Sequence, residues 1–116
     1  MKLTRMYTGD DGETHFEDVE IELLDRGPLG LVSKLEPATG LVFRETGEDY
    51  ELDWHTAPRR QLIVPLEGAV EIETGDGGKR RFGPGDLLLA EDTTGRGHIS
   101  RAVEGQRRRM IFVTLD

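Results

Sequence analysis

Short apolar runs, separated by glycine, proline and acidic clusters, dominate this chain. No stretch of ten or more residues combines a helical apolar period with a capped start. The recurrent pattern is alternation. Val19-Glu20-Ile21-Glu22-Leu23 alternates strictly and predicts a strand with one apolar and one acidic face. Asp25-Arg26-Gly27-Pro28 predicts a turn. Gly30–Leu35 predicts a second strand, closed by Pro37 and Gly40, and Leu41–Glu45 a third, followed by the polar turn Thr46-Gly47-Glu48-Asp49. Further on, Gln61–Leu66 and Ala69–Glu73 predict strands on either side of Gly68. Gly75-Asp76-Gly77-Gly78 is the clearest hairpin signal, because adjacent glycines accept the positive φ angles of tight turns; Lys79–Phe82 is the return strand. Gly83-Pro84-Gly85-Asp86 turns into the apolar run Leu87–Ala90. After a long loop, Glu91–Gly97, come His98–Val103 and Met110–Leu115. Roughly nine or ten short strands spaced about 8–12 residues apart predict an all-β sandwich or barrel.

A length of 116 residues allows one domain and one core. The formal charge of −8 argues against nucleic acid and against an anionic membrane surface, both of which select clustered Lys and Arg. Arg107-Arg108-Arg109 therefore reads as a solvated turn. No apolar run approaches the roughly 20 residues of a membrane span, and Met1–Arg5 lacks the apolar stretch of a secretory signal. With no cysteine there is no disulfide, thiolate metal site or cysteine nucleophile. A cytoplasmic protein acting on a small molecule or a protein partner is the expectation. Ser33 and Ser100 have no glycine-rich elbow, and no phosphate-binding glycine loop occurs.

Two of the three histidines stand at informative places. His55 lies in Asp53-Trp54-His55-Thr56-Ala57-Pro58-Arg59-Arg60-Gln61, and His98 closes Glu91-Asp92-Thr93-Thr94-Gly95-Arg96-Gly97. His15 is expected at the surface of a polar N-terminal turn. These segments resemble the two motifs of the RmlC-like cupin superfamily, G-x5-H-x-H-x3,4-E-x6-G and G-x5-P-x-G-x2-H-x3-N. Aligned on Gly68, Gln61 takes the glutamate position, His55 that of the first histidine and Ala57 that of the second. Gly85-Asp86 resembles the opening of the second motif and His98 its histidine. The loop before His98 is two residues longer than the pattern, and Ala102 stands in place of asparagine. The likeness spans about residues 47–103, with N-terminal strands over about 1–46 and a closing strand at about 110–115. WHTAPRRQ, RRFGPGDLLLAEDTTGRGH and THFED are similar to small single-domain bacterial cupins. The resemblance implies one domain over 1–116, a double-stranded β-helix (jelly-roll) barrel, and no particular reaction.

A typical cupin holds its metal with three histidines and a glutamate. Here the resemblance leaves His55, Gln61 and His98 as a three-donor set with open positions and no negative charge. Positions 55, 57 and 61 share strand parity, which places His55 and Gln61 on one interior face unless Pro58 introduces a bulge. Asp53, Glu91 and Asp92 are the carboxylates within reach of completing the set. Arg59 and Arg60 alternate in direction, so one of them is a candidate carboxylate clamp. Trp54, Asp92 and Thr94 are candidate ligand contacts in or near the loop. Plainer readings stand beside these: interior hydrogen bonding for the histidines and Gln61, a surface ion pair for Arg59, core or dimer packing for Trp54, and an Asp-capped turn for the loop. The implied function is a metal-dependent enzyme of oxygenase, isomerase or lyase type. It would use Fe, Mn, Ni or Zn with His55 and His98 as catalytic groups, on a small polar or carboxylate-bearing substrate. Metal-free acid–base catalysis and a non-catalytic binding module are the alternatives. A homodimer paired through outer strands is expected, since exposed sheet edges need cover.

Overall fold

A computed structural model describes the whole chain, residues 1–116. It is all-β, with one short 3₁₀ turn at Gly27–Leu29. The strands are β1 (Lys2–Thr8), β2 (Thr14–Glu20), β3 (Leu24–Asp25), β4 (Leu31–Val32), β5 (Gly40–Thr46), β6 (Glu51–His55), β7 (Gln61–Glu67), β8 (Val70–Thr74), β9 (Lys79–Phe82), β10 (Leu88–Ala90), β11 (His98–Ala102) and β12 (Arg108–Thr114). One sheet has the order β2-β1-β10-β7-β12-β5 and faces a second of order β6-β11-β8-β9; β3 and β4 form a separate small ribbon. Only β1 and β10 pair in parallel.

Alternation builds the core. Val70 and Ile72 of β8 and Phe82 of β9 point from one sheet, and Met6, Leu88 and Ala90 from the other. Ala57, in the segment between β6 and β7, completes the cluster. Along β12, Arg108, Met110, Phe112 and Thr114 are buried while the residues between them are not. The expected closed barrel is corrected: no hydrogen-bonded ladder joins the two sheets, and β2, β5, β6 and β9 remain edges. Two of the segments that cross between the sheets are residues 56–60 and 91–97. Pro58 has no N–H for a ladder there, and Gly95 and Gly97 adopt positive φ.

Four sequence expectations shift. β1 is an additional strand; of its side chains only Met6 is fully buried, so pairing with β2 and β10 makes it a strand rather than apolar alternation. The strand expected at 19–23 runs instead from Thr14 to Glu20, because its ladder with β1 ends at the Lys2–Glu20 pair. The strand expected at 30–35 shrinks to Leu31–Val32, which pairs only with β3, and Leu29, Leu31 and Leu35 stand exposed outside the two main sheets. His15 sits in β2 rather than a turn. Its Nε2 is 2.9 Å from Asp11 and its Nδ1 3.1 Å from Asp76, and the Asp11 hydrogen bond is the chief cause of its raised pKa. No helix is long and apolar enough to cross a membrane.

Candidate functional site

Between the sheets lies a cavity of about 340 Å³. Leu52, Ile63, Leu88 and Phe112 are among its apolar walls, and polar side chains gather at its ends. His55 is the last residue of β6 and His98 the first of β11. The two are register partners, their ring centroids 4.3 Å apart and their planes inclined by 58°.

Each imidazole is oriented by its Nδ1. His55 donates from Nδ1 to the Asp53 carbonyl at 2.7 Å; a carbonyl can only accept, so the neutral ring keeps its lone pair on Nε2. His98 Nδ1 lies 2.6 Å from Oδ2 of Asp92, which also accepts from the Thr14 hydroxyl at 2.9 Å. Asp92 is fully buried, and its Oδ1 has no hydrogen-bond partner. Burial pushes the His55 pKa below its ordinary value, and the neighbouring His98 and Arg44 act the same way against the Asp53 hydrogen bond. His55 is thus held as a neutral imidazole near pH 7.

The approach of β11 to β6 depends on Gly97. Its φ is +80°, and a Cβ there would stand 1.9 Å from the His55 carbonyl oxygen. The role of this glycine is close backbone contact.

Gln61 is buried and lines the cavity, and its amide makes no hydrogen bond within the chain. It does not share a strand with His55. His55 ends a strand of the four-stranded sheet and Gln61 begins one of the six-stranded sheet, so they line the same cavity from different sheets rather than along one strand, and the shared parity expected of them is corrected. Ala57, at the second histidine position, lines the cavity and donates its N–H to the Asp92 carbonyl at 3.0 Å.

None of the three candidate carboxylates enters the cavity. Asp53 Oδ1 accepts from the Trp54 N–H, and Asp92 lies behind His98. Glu91 is held by Arg5 at 2.5 Å and Arg60 at 2.6 Å. Burial raises its pKa, but those two arginines outweigh it and leave it below the ordinary carboxylate value. Among the expected substrate contacts, only Arg59 reaches the cavity, from an exposed rim. Trp54 lies under the Arg96 guanidinium, 3.8 Å from its ring centroid. Thr94 is exposed and its carbonyl accepts from the Thr8 hydroxyl. The loop is pinned to the β1–β2 turn by that bond and by Arg96 N–H to the Gly12 carbonyl, and Thr94 does not line the cavity.

The expected solvated turn at 107–109 is also corrected. Arg108 belongs to β12, is buried, and lines the cavity with Arg44 of β5 and Tyr50. A signal existed: Arg108 shares parity with Met110 and Phe112, and Arg44 with Val42.

No family model matches the chain, and no curated protein matches it. Nine chains of known structure do. One is described as protein NMB1881 from Neisseria meningitidis, 17% identical with a TM-score of 0.51 over 70% of this chain and 79% of that one. Another is described as the conserved SPY1581 protein of unknown function from Streptococcus pyogenes. It is 21% identical with a TM-score of 0.49, over 74% of this chain and 71% of that one. The first likeness concerns fold alone.

Proposed function

We propose that this chain is a small cupin-type domain that binds a small polar or carboxylate-bearing molecule in the cavity and acts on it at His55, Gln61 and His98, with a divalent metal ion held there. Strand order supports the fold assignment. From β5 to β12 the partners nest as β5/β12, β6/β11, β7/β10 and β8/β9, the pairing of a jelly roll, with β1 and β2 added beside β10. His55, Gln61 and His98 stand at the ends of β6, β7 and β11, where the cupin motifs put metal ligands.

The carrying observation is the pair of imidazoles, each anchored through Nδ1 and each with Nε2 uncommitted, together with a cavity-lining amide that has no internal partner. Anchoring one ring nitrogen to a carboxylate or carbonyl is how ligating histidines are oriented. The donor set therefore fits Fe, Mn, Ni or Zn, which would supply Lewis-acid polarisation of a substrate oxygen. Asp92 fixes the His98 ring, the Asp53 carbonyl fixes His55, and the apolar walls exclude water from the bound molecule.

A second reading, metal-free acid–base catalysis by the same two rings, is favoured by the depressed His55 pKa and by the positive charge of Arg44 on the same cavity. Metal content of tag-free protein supplied with Fe(II), Mn(II), Ni(II) and Zn(II) separates the two. Near-stoichiometric metal in the wild type that disappears in a His55→Ala, His98→Ala double variant is expected. No bound metal in the wild type would overturn the metalloenzyme reading and leave acid–base chemistry or simple binding.

A homodimer accompanies this proposal. Leu41 and Phe43 of edge strand β5 are exposed, and Ile111 and Val113 of β12 lie beside them in register, then Leu62 and Val64 of β7. With Leu29, Leu31 and Leu35 also uncovered, the chain carries two apolar surfaces that a second copy can bury isologously. Sedimentation velocity is expected to show a dimer for the wild type and a monomer for Phe43→Glu. A monomeric wild type at tens of micromolar would count against it.

A further inference from the structure

The end of the cavity away from the histidines is cationic. Along β12, Thr114 is level with Gln61 and Arg108 with Thr46, so the two polar ends are separated by six residues of strand. Arg108 donates from Nε to the Thr46 hydroxyl at 3.2 Å and lies 4.8 Å over the Tyr50 ring. Arg44 lies 5.5 Å from the same ring and 5.4 Å from that of Phe112, with Nη2 3.5 Å from the Tyr50 hydroxyl.

Neither arginine has a carboxylate within ion-pair distance. Their neighbours do: Arg101 pairs with Glu51, Glu71 and Glu73, and Arg109 with Glu67. In a chain with 23 acidic and 15 basic residues, missing counter-charge is not a shortage of carboxylates. Arg108 is only 7% exposed. A guanidinium buried to that degree without a paired anion is costly. Burial, with the Arg44 charge acting in the same direction, lowers its pKa, although a guanidinium remains protonated at any ordinary pH.

We infer that Arg44 and Arg108, with the Tyr50 hydroxyl beside them, form a carboxylate-binding subsite for a small monocarboxylate whose apolar body lies against Leu52, Ile63 and Phe112. This deepens the proposed function and rests on the cavity being the ligand site. Two guanidinium forks offer the planar, charge-assisted recognition that a carboxylate matches. The apolar walls favour a hydrocarbon body over a fully polar oxoanion.

Isothermal titration of the wild type with butyrate and benzoate, with their uncharged amides butyramide and benzamide, and with inorganic phosphate tests this. The acids are expected to bind at least about tenfold more tightly than the amides, and more tightly than phosphate. Arg108→Gln and Arg44→Gln should each erase that preference, and Arg108→Lys should restore part of it. Ligand-free Arg108→Gln is expected to melt no lower than the wild type, because it removes an unpaired buried charge. Equal affinity for acids and amides, no binding of either, tighter binding of phosphate, or an unchanged preference in both glutamine variants would each overturn the subsite. The His55→Ala, His98→Ala variant should keep the acid preference while losing metal. Failure of the metal reading therefore leaves this result intact, and failure of the subsite leaves the metal result intact.

Discussion

Replacing Gly97 with alanine is expected to cost about 4 kcal/mol or more of folding stability and to push His55 and His98 apart. Two separable effects add at this position. The left-handed backbone, φ +80°, disfavours any L side chain by about 1–2 kcal/mol. The added Cβ would also stand 1.9 Å from the His55 oxygen, 2.3 Å from its carbonyl carbon and 2.8 Å from the Thr56 nitrogen. All three are backbone atoms, so no rotamer change can relieve the clash. Gly77 supplies the control: its φ is +90°, and a Cβ there would meet nothing within 4 Å. Gly77→Ala should therefore lose only the dihedral part, about 1–2 kcal/mol. Urea unfolding of the two variants measures the difference directly. Equal losses would show that the β6–β11 approach is not limited by this contact.

Asp92→Ala carries the second large effect. It strands the Thr14 hydroxyl and the His98 Nδ1–H in a region where Thr14 and Asp92 have no exposure at all. Removing one partner of a buried charge-assisted network costs about 3–5 kcal/mol, equivalent to a fall in melting temperature of roughly 10 °C or more for a domain of this size. The effect is tempered because Asp92 Oδ1 is itself unpartnered, so part of the cost of burying the carboxylate is uncompensated in the wild type. Asp92→Asn preserves shape and one acceptor oxygen, and should lose no more than about 2 kcal/mol. The chemical readout is the His98 ring. Nitrogen NMR is expected to show the proton on Nδ1 in the wild type and a mixed tautomer population in both variants. An alanine variant melting within a few degrees of the wild type, with the tautomer retained, would remove Asp92 from its positioning role.

Much of the strand pattern was legible because it is local. Alternation in Ala69–Glu73 and the glycines at 75–78 specify the β8–β9 hairpin with no reference to the rest of the chain. Leu41–Glu45 announced β5 in the same way. His55 and His98 were legible as candidates from their sequence surroundings, and the fold brings them into contact. The alternation of β12 carried more than was read from it. An arginine at an inward position reads as a solvated charge until the parity of Met110 and Phe112 is applied to it.

Other features had no local signature. Leu31 and Leu35 fall in the strand expected at 30–35, yet the two main sheets complete their pairing without them, and only Leu31 joins the small β3–β4 ribbon. β1 has little apolar alternation and exists because β2 and β10 flank it. Gln61 and His55 share parity along the chain, but the crossing at 56–60 places them in different sheets.

What the sequence determined by itself is the all-β class, most of the strands, the central hairpin and two of the residues in the candidate site. Each follows from backbone geometry over a few neighbouring residues, through period two and the φ preferences of glycine and proline. Tertiary structure alone decided which sheet receives each strand, that the sheets stay open, that Asp92 stands behind His98, and that Arg44 and Arg108 share a cavity with no counter-charge. Those outcomes depend on pairing between residues far apart in the chain. Their register is set by which apolar faces can be buried together, a property of the whole packed molecule.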